Sequence, residues 1–170
     1  MMKKNALARK ILCGMLAAGV VGACGSALAA EYSNYYYDHG DTIEINDSNV
    51  KASSIISDAD ENGNPSVISF IGGGTVNIEN KDDDYFAYAA SSKSIINFGT
   101  ETKQLDKLIV KTTDDGNVLG LVVAGGVVNI NAKTYEQYGS LLGLYVSDDD
   151  SGDGATLNIN VDDFKSVTKV

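Results

Sequence analysis

One short pattern recurs along this chain and constrains its fold more than any other sequence feature. Its core is an apolar residue, an asparagine and a second apolar residue, in most copies after glycines. Four of its copies have their asparagines at Asn77, Asn97, Asn129 and Asn158. They are 20, 32 and 29 residues apart, which is the range in which one supersecondary unit is stacked on the next. Residues 118–122 also resemble residues 141–146, so each repeat is expected to hold two or three strands.

The pattern predicts strands stacked side by side in a β-solenoid. In a strand, the two apolar neighbours of each asparagine face one side and the asparagine faces the other. Three apolar pairs would therefore stack in layers of the core: Val76 and Ile78, Val128 and Ile130, and Leu157 and Ile159. The asparagines would form a structural ladder, because amides repeated at the strand spacing can hydrogen-bond to one another. The predicted class is all-β, with an antiparallel β-sandwich as the alternative, since short strands and Gly or Asp turns suit both folds.

The first 29 residues have the form of a bacterial signal peptide. A basic start is followed by an apolar segment at 11–23 and by a small-residue cleavage site. The residues of that site are Ala27, Ala29 and Ala30. Two alternatives stay open. One is a membrane anchor, although the apolar run is short and broken by glycines; the other is a lipoprotein signal, in which cleavage before Cys24 exposes a thiol for lipidation.

Removal of this leader would leave a strongly acidic chain. The leader holds four of the 13 basic residues, including the only arginine, Arg9, and none of the 23 acidic ones. The remaining nine lysines and 23 acidic residues give a net charge of −14. Nucleic acid is therefore not expected as a partner, because clustered Lys and Arg bind phosphate backbones. After the leader we expect a tyrosine-rich edge or capping segment at 30–50 and solenoid repeats at 51–170.

Four tyrosines after the leader form a candidate contact surface for a glycan or a protein. They are Tyr32, Tyr35, Tyr36 and Tyr37. Tyrosine combines a large apolar area with a polar tip, which suits such contacts. The alternative is that these side chains cover the first coil of the solenoid.

One loop matches the first half of a calcium-binding loop. Asp58, Asp60 and Asn62 occupy its first, third and fifth positions, and Gly63 allows the sharp turn. The twelfth position, where a glutamate would complete the coordination shell, is Ser69. Calcium is the one cofactor that the sequence suggests, and a solvated Asx turn is the alternative.

No set of catalytic residues stands out, and we expect no enzyme activity. His39 is the only histidine, so a histidine-based metal cluster is excluded, and nothing marks a nucleophile for a triad. After the leader there is no arginine to hold an acidic sugar, and no spacing singles out a carboxylate pair. The glycines at 72–74 lack the following lysine of a phosphate-binding loop and are expected to turn a corner. The acidic runs at 82–84 and 148–150 are expected to be solubilising loops.

The chain resembles the start of a bacterial type V autotransporter passenger in four features. They are a long basic leader, a cysteine-free region after it, Gly-Gly-x-Val-Asn-Ile repeats and an acidic surface. The resemblance covers most of residues 31–170. It implies a right-handed parallel β-helix of pectin-lyase-like shape, exported through the periplasm to the cell surface, the outer membrane or the medium. The series of alternating strands of that family's membrane barrel is missing, and no polar cap is visible at the end, so we expect a truncated passenger.

The resemblance implies a non-catalytic adhesin region that presents loops to a host glycan or protein, or that associates with its own copies. Membrane attachment would come only through the missing barrel or through lipidation at Cys24. Two other functions stay open: the N-terminal part of a carbohydrate-active β-helix enzyme, and a surface lipoprotein.

Overall fold

The computed structural model describes residues 33–80, 86–90, 93–112, 119–139, 142–148 and 154–167. All regular secondary structure in these ranges is β-strand, and no helix in them is long and apolar enough to span a membrane. Several predicted features lie outside the described residues. They are the signal peptide with Cys24, Ala27, Ala29 and Ala30, then Tyr32, and the acidic residues at 82–84 and 149–150.

The described residues form twelve strands joined in one sheet. The strands are β1 (Ser33–Tyr37), β2 (Thr42–Ile45), β3 (Asn49–Ser57), β4 (Val67–Phe70), β5 (Thr75–Asn80), β6 (Phe86–Ala90), β7 (Ile95–Phe98), β8 (Leu105–Thr112), β9 (Leu119–Ala124), β10 (Val127–Tyr138), β11 (Leu142–Ser147) and β12 (Thr156–Val167).

These strands wind into coils with three faces. Face A contains β2, β4, β7 and the first parts of β10 and β12. Face B contains the first part of β3, β5, β8 and the second parts of β10 and β12. Face C contains β1, the second part of β3, β6, β9 and β11. The chain runs from face A to face B to face C and then returns to face A one coil further on.

Every pairing between neighbouring coils is parallel. Parallel strands need a crossover connection, and here the other two faces of each coil supply it. The predicted β-solenoid is therefore confirmed, and the antiparallel sandwich is excluded. The predicted similarity of residues 118–122 and 141–146 is also structural, because Leu119 pairs with Leu142 and Leu121 with Leu144.

The core consists of columns, meaning residues at equivalent positions of successive coils. Two inward columns on face A flank the asparagines. One contains Ile43, Ile68, Ile96, Val128 and Leu157. The other contains Ile45, Phe70, Phe98, Ile130 and Ile159. In the second column the rings of Phe70 and Phe98 stack with centroids 5.3 Å apart and planes 9° apart. Alternation of apolar and polar residues along each strand thus fills the interior.

Glycines turn the corners between faces A and B where two coils approach closely. A Cβ atom on Gly74 would lie 1.8 Å from the backbone oxygen of Ser48 in the preceding coil. Gly99 has a φ of +73°, and a Cβ atom there would lie 2.2 Å from the backbone oxygen of Asn131 in the next coil. The corner predicted for the glycines at 72–74 is confirmed, since they connect β4 to β5.

The solenoid begins earlier than the sequence predicts. The boundary expected at residue 51 falls inside β3, and the described part of the segment at 30–50 belongs to the first coil, where β1 and β2 lie at the edge of the sheet. β1 already pairs with the second part of β3 on face C, and β2 pairs with β4 on face A. The aromatic composition of this segment hid its strand periodicity: Tyr35 and Tyr37 take inward positions, in register with Ile55 and Ser57 of the next coil.

Truncation of the stacked phenylalanine tests the core. Phe98 is fully buried, so Phe98→Ala is expected to lower the free energy of unfolding by about 3–5 kcal/mol. Phe164→Ala is the matched control, because Phe164 is 46% exposed on the last described strand and should cost less than half as much. Urea denaturation followed by circular dichroism measures both values. Equal costs for the two variants would contradict this packing.

Candidate functional site

A ladder of side-chain amides runs along the outside of face A. Asn97, Asn129 and Asn158 are in register on β7, β10 and β12. The Nδ2 of Asn158 donates to the Oδ1 of Asn129 at 2.8 Å, and the Nδ2 of Asn129 donates to the Oδ1 of Asn97 at 2.8 Å. We call these three residues the asparagine ladder. The prediction of a ladder is confirmed for them.

The asparagine ladder has a direction. Each amide nitrogen donates toward the preceding coil, and Asn97 continues the series by donating from Nδ2 to the Oγ of Ser69 at 2.9 Å. Ser69 is in register with Glu44 on β2. The sequence motif misses Ser69 and Glu44 because they are not asparagines, although they occupy the same column. The column therefore begins with a carboxylate, continues through a hydroxyl and ends with amides.

Asn77 does not belong to this ladder, and its predicted membership is wrong. It lies on β5 of face B, in register with Lys51 and Ile109. The same short motif thus occurs on two different faces, because on each face one outward residue lies between two inward apolar ones. The spacing carried a signal, since Asn77 precedes Asn97 by only 20 residues, whereas the later ladder residues are 32 and 29 residues apart.

A second amide pair follows the ladder two residues further along β10 and β12. The Nδ2 of Asn160 donates to the Oδ1 of Asn131 at 3.2 Å. The two columns line a groove of about 590 Å³ at the corner between faces A and B. Its lining residues are Asn97, Gly99, Thr100, Glu101, Asn129, Ile130, Asn131, Asn158 and Asn160. The repeated Asn-Ile-Asn sequence at 129–131 and 158–160 could have indicated this second column.

One wall of the groove is the turn between β7 and β8, which has no equivalent in the two following strands. β10 and β12 pass from face A to face B without a break, whereas a turn at 99–104 separates β7 from β8. The turn is closed by hydrogen bonds from the Thr100 N–H to the Lys103 carbonyl at 3.0 Å and from the Lys103 N–H to the Thr100 Oγ1 at 2.9 Å. The groove therefore lies between a rigid turn and a flat surface of amides.

The chemistry of the groove is that of neutral hydrogen bonding. An asparagine side chain has two N–H donors and an oxygen with two lone pairs, and the ladder uses only one of each. Among the lining residues Glu101 is the one titratable side chain. In the part of the chain that the structure describes, no group of three or more His, Cys, Asp or Glu could hold a metal ion. The arrangement can bind polar groups.

Charged side chains form complementary pairs on face B. The Lys107 Nζ donates to the Glu136 Oε1 at 3.0 Å, and the Tyr138 hydroxyl donates to the Glu136 Oε2 at 3.0 Å. The hydrogen bond from Lys107 is the main reason that the pKa of Glu136 is lowered. The Lys165 Nζ lies 5.3 Å from the centre of the Tyr138 ring. No repeated motif contains these residues, so the sequence analysis missed them.

The predicted calcium loop is closed by its own side chains. The Oδ1 of Asp60 accepts hydrogen bonds from the backbone N–H of Asn62 and of Asn64, each at 2.8 Å. The Oδ2 accepts from the Nδ2 of Asn64 at 2.8 Å, and these bonds to Asn64 lower the pKa of Asp60. The Oδ1 of Asp58 accepts from the Ala59 N–H at 2.8 Å. This hydrogen bonding is that of an Asx turn, and calcium binding stays a prediction that no contact here supports.

The described tyrosines of the candidate contact surface pack inward at two positions. Tyr37 is buried, and its hydroxyl donates a hydrogen bond to Asp41. Both effects raise the pKa of Tyr37, and burial is the larger of the two. Tyr35 packs edge-on against Phe70 at 5.8 Å. The contact-surface prediction is wrong for these two residues, and their predicted alternative of covering the first coil is confirmed. Tyr36 is half-buried between them, and His39 is exposed beside the Tyr37 ring.

Comparison of this chain with protein-family models, with curated proteins and with solved structures gives no match. The groove and the ladder are therefore interpreted from their own chemistry.

A substitution in the middle of the asparagine ladder should lower the free energy of unfolding more than a substitution at its end. Asn129→Leu removes the Nδ2 that donates to Asn97 and the Oδ1 that accepts from Asn158. Because two hydrogen bonds are lost, the free energy of unfolding should fall by about 1–3 kcal/mol. Asn158→Leu removes one hydrogen bond and should cost about half as much. Denaturant titration of both variants measures the difference. A larger loss for Asn158→Leu would contradict the ladder.

A low pH should weaken the ion pair between Lys107 and Glu136 on face B. The pKa of Glu136 is lower in the folded chain than in the unfolded chain, where it is near 4.5. The ionised Glu136 side chain therefore stabilises the fold at pH values above 4.5, and this stabilisation is lost as the pH falls through the pKa of the folded chain. Glu136→Gln should therefore be less stable than wild type near pH 7, and the gap should narrow at pH 3. Unfolding measured at both pH values tests this. A constant gap would show that the charge does not contribute.

Proposed function

We propose that this chain is an exported, non-catalytic structural solenoid of the autotransporter-passenger type, which holds binding surfaces away from the cell. The observation that supports this proposal is the asparagine ladder with its groove. Neutral amides that hydrogen-bond to one another line a groove of about 590 Å³. Such a surface is rigid and polar, which suits the display of a recognition surface more than bond cleavage.

The alternative of a carbohydrate-active enzyme receives less support from this groove. Glycoside hydrolysis uses two carboxyl groups on either side of the scissile bond, separated by about 5–10 Å. The groove contains one carboxylate, Glu101, and the nearest ladder positions are amides. The pKa of Glu136 is shifted, but its partners are Lys107 and Tyr138 in a surface pair on another face. A binding function therefore fits the described residues better.

Export is the part of the proposal that rests on the leader. When the full chain is expressed in a Gram-negative bacterium, we expect the mature protein outside the cytoplasm with Ala30 at its N-terminus, as measured by mass spectrometry of the fractions. A lipidated N-terminal Cys24 would support the lipoprotein alternative instead. An uncleaved chain in the cytoplasm would contradict export.

The non-catalytic part is tested on polysaccharides. We expect the purified chain to release no reducing ends or unsaturated sugars from neutral and acidic polysaccharides, and to retain any polysaccharide that it binds. Glu101→Gln should leave this result unchanged. Turnover that disappears in Glu101→Gln, with the same melting temperature as wild type, would show that the groove is catalytic.

A further inference from the structure

The turn between β2 and β3 has a sequence that neither the core nor the asparagine ladder explains. It reads Glu44-Ile45-Asn46-Asp47-Ser48. An asparagine that is followed by any residue except proline, and then by serine or threonine, is the acceptor sequence for N-linked glycans. Asn46 is the one asparagine of the chain in such a sequence. The turn is therefore a candidate site of covalent modification.

The side chains that matter for this modification are on the solvent side of the turn. Glu44, Asn46 and Ser48 are exposed. Ile45, which lies between the first two, is 9% exposed and belongs to the core. Successive side chains of an extended chain point to opposite sides, so the burial of Ile45 directs its two neighbours outward. The acceptor amide, the carboxylate before it and the hydroxyl after it can all be reached from solvent.

The structure holds this turn in place through its backbone. The Ile45 carbonyl accepts a hydrogen bond from the Ile71 N–H at 2.8 Å, and the Ser48 carbonyl accepts one from the Thr75 N–H at 2.8 Å. Both donors belong to the next coil. A group attached to the side chain of Asn46 replaces neither of these bonds, so the folded solenoid can carry it.

Glu44 supplies a further recognition element. Bacterial enzymes that transfer a whole glycan from a lipid carrier recognise an acidic side chain two residues before the acceptor asparagine. A carboxylate at that position can be held by an arginine of the enzyme through charge-assisted hydrogen bonds. Glu44 is two residues before Asn46 and exposed on the same side of the turn.

A near match elsewhere in the chain lacks these features. Asn64 is exposed and is followed by Pro65 and Ser66, and proline at the middle position excludes this sequence as an acceptor. Ser66 is fully buried, and the residue two positions before Asn64 is the neutral Asn62. This segment therefore provides an internal control.

We propose that Asn46 is an N-glycosylation site for a bacterial oligosaccharyltransferase, which recognises Glu44 and Ser48. The Nδ2 of Asn46 forms a bond with the anomeric carbon of a glycan, and the bond from that carbon to the pyrophosphate of a lipid-linked donor breaks. The lipid pyrophosphate leaves, and one amide proton passes to a base. The modification rests on the export proposed above, because these enzymes and their donor act on the outer side of the cytoplasmic membrane.

A glycan at this position is compatible with binding in the groove. Asn46 lies at the corner between faces A and B of the first coil. The lining residues of the groove belong to β7, β10, β12 and the turn after β7, and Asn46 is not among them. A hydrophilic glycan at Asn46 therefore adds to the polar surface of the solenoid without filling the groove.

Expression of the full chain in a Gram-negative bacterium that contains an oligosaccharyltransferase and its lipid-linked oligosaccharide tests the site. Mass spectrometry of the exported protein should show the addition of one glycan, and peptide fragmentation should locate it at Asn46. Asn46→Gln and Ser48→Ala should each abolish the addition. Glu44→Gln should lower the modified fraction about tenfold, because the charge-assisted hydrogen bonds of the carboxylate are lost.

Two further variants are matched controls. Asp47→Asn removes a charge from the same turn but keeps the recognised residues, so modification should be unchanged. Pro65→Ala gives Asn64 an acceptor sequence with a buried serine and no preceding acid, so Asn64 should stay unmodified. Circular dichroism and thermal melting establish that each variant is folded. Equal modification in Glu44→Gln and wild type, or modification of Asn64 in Pro65→Ala, would overturn the recognition assigned to Glu44.

A second version of the chain separates glycosylation from export. In it, the signal peptide of a periplasmic protein replaces residues 1–29, so that export does not depend on the leader. An exported but unmodified Asn46 in this version would overturn the glycosylation proposal and leave the proposed function intact. Modification in this version, with an unmodified cytoplasmic chain when the original leader is present, would support the site and contradict the proposed export.

Discussion

Parallel register between successive coils is the constraint on which the rest of the structure depends. Once one strand is hydrogen-bonded to the next in register, every side chain has a neighbour of the equivalent position at about 4.8 Å on either side. Each column must then consist of residues that tolerate one another at that distance. The inward columns solve this with aliphatic residues and stacked Phe70 and Phe98, and the outward columns solve it with amides or with alternating charges.

The amide and charge columns differ in what they contribute. Asparagine is both donor and acceptor, so identical residues can follow one another and form a continuous series. A charged residue cannot follow one of the same sign, and Asp106, Lys133 and Asp162 alternate accordingly. The amide column gives a neutral, rigid surface beside the groove. The charged residues on face B join neighbouring coils through the pairs Lys107–Glu136 and Asp106–Lys133.

The repeat predicts the solenoid because an inward-outward-inward pattern is a direct consequence of strand geometry. It also predicts the alignment of Asn97, Asn129 and Asn158, whose spacings are close to the length of a coil. The prediction fails for Asn77 because faces A and B impose the same local pattern, and local sequence does not distinguish them. It fails for the start of the solenoid because the inward positions of β1 hold Tyr35 and Tyr37, so β1 lacks the alternation of aliphatic and polar residues.

The groove was beyond prediction for a different reason. It depends on how coils of unequal length align, and the turn at 99–104, absent from the next coil, forms one wall of the groove. Coil length varies with each corner, so a single sequence does not give the register between columns. Ser69 and Glu44 show the same effect, since they continue the ladder column without sharing its residue type.

Nuclear Overhauser contacts between side-chain amide protons test the register most directly. In the isotope-labelled chain, we expect contacts between the Nδ2 protons of Asn97 and Asn129 and between those of Asn129 and Asn158, with none from Asn77 to any of them. This is the result that parallel coils with one asparagine ladder require. A contact between Asn77 and Asn97, or none between Asn97 and Asn129, would contradict the stacked register on which the fold and the groove depend.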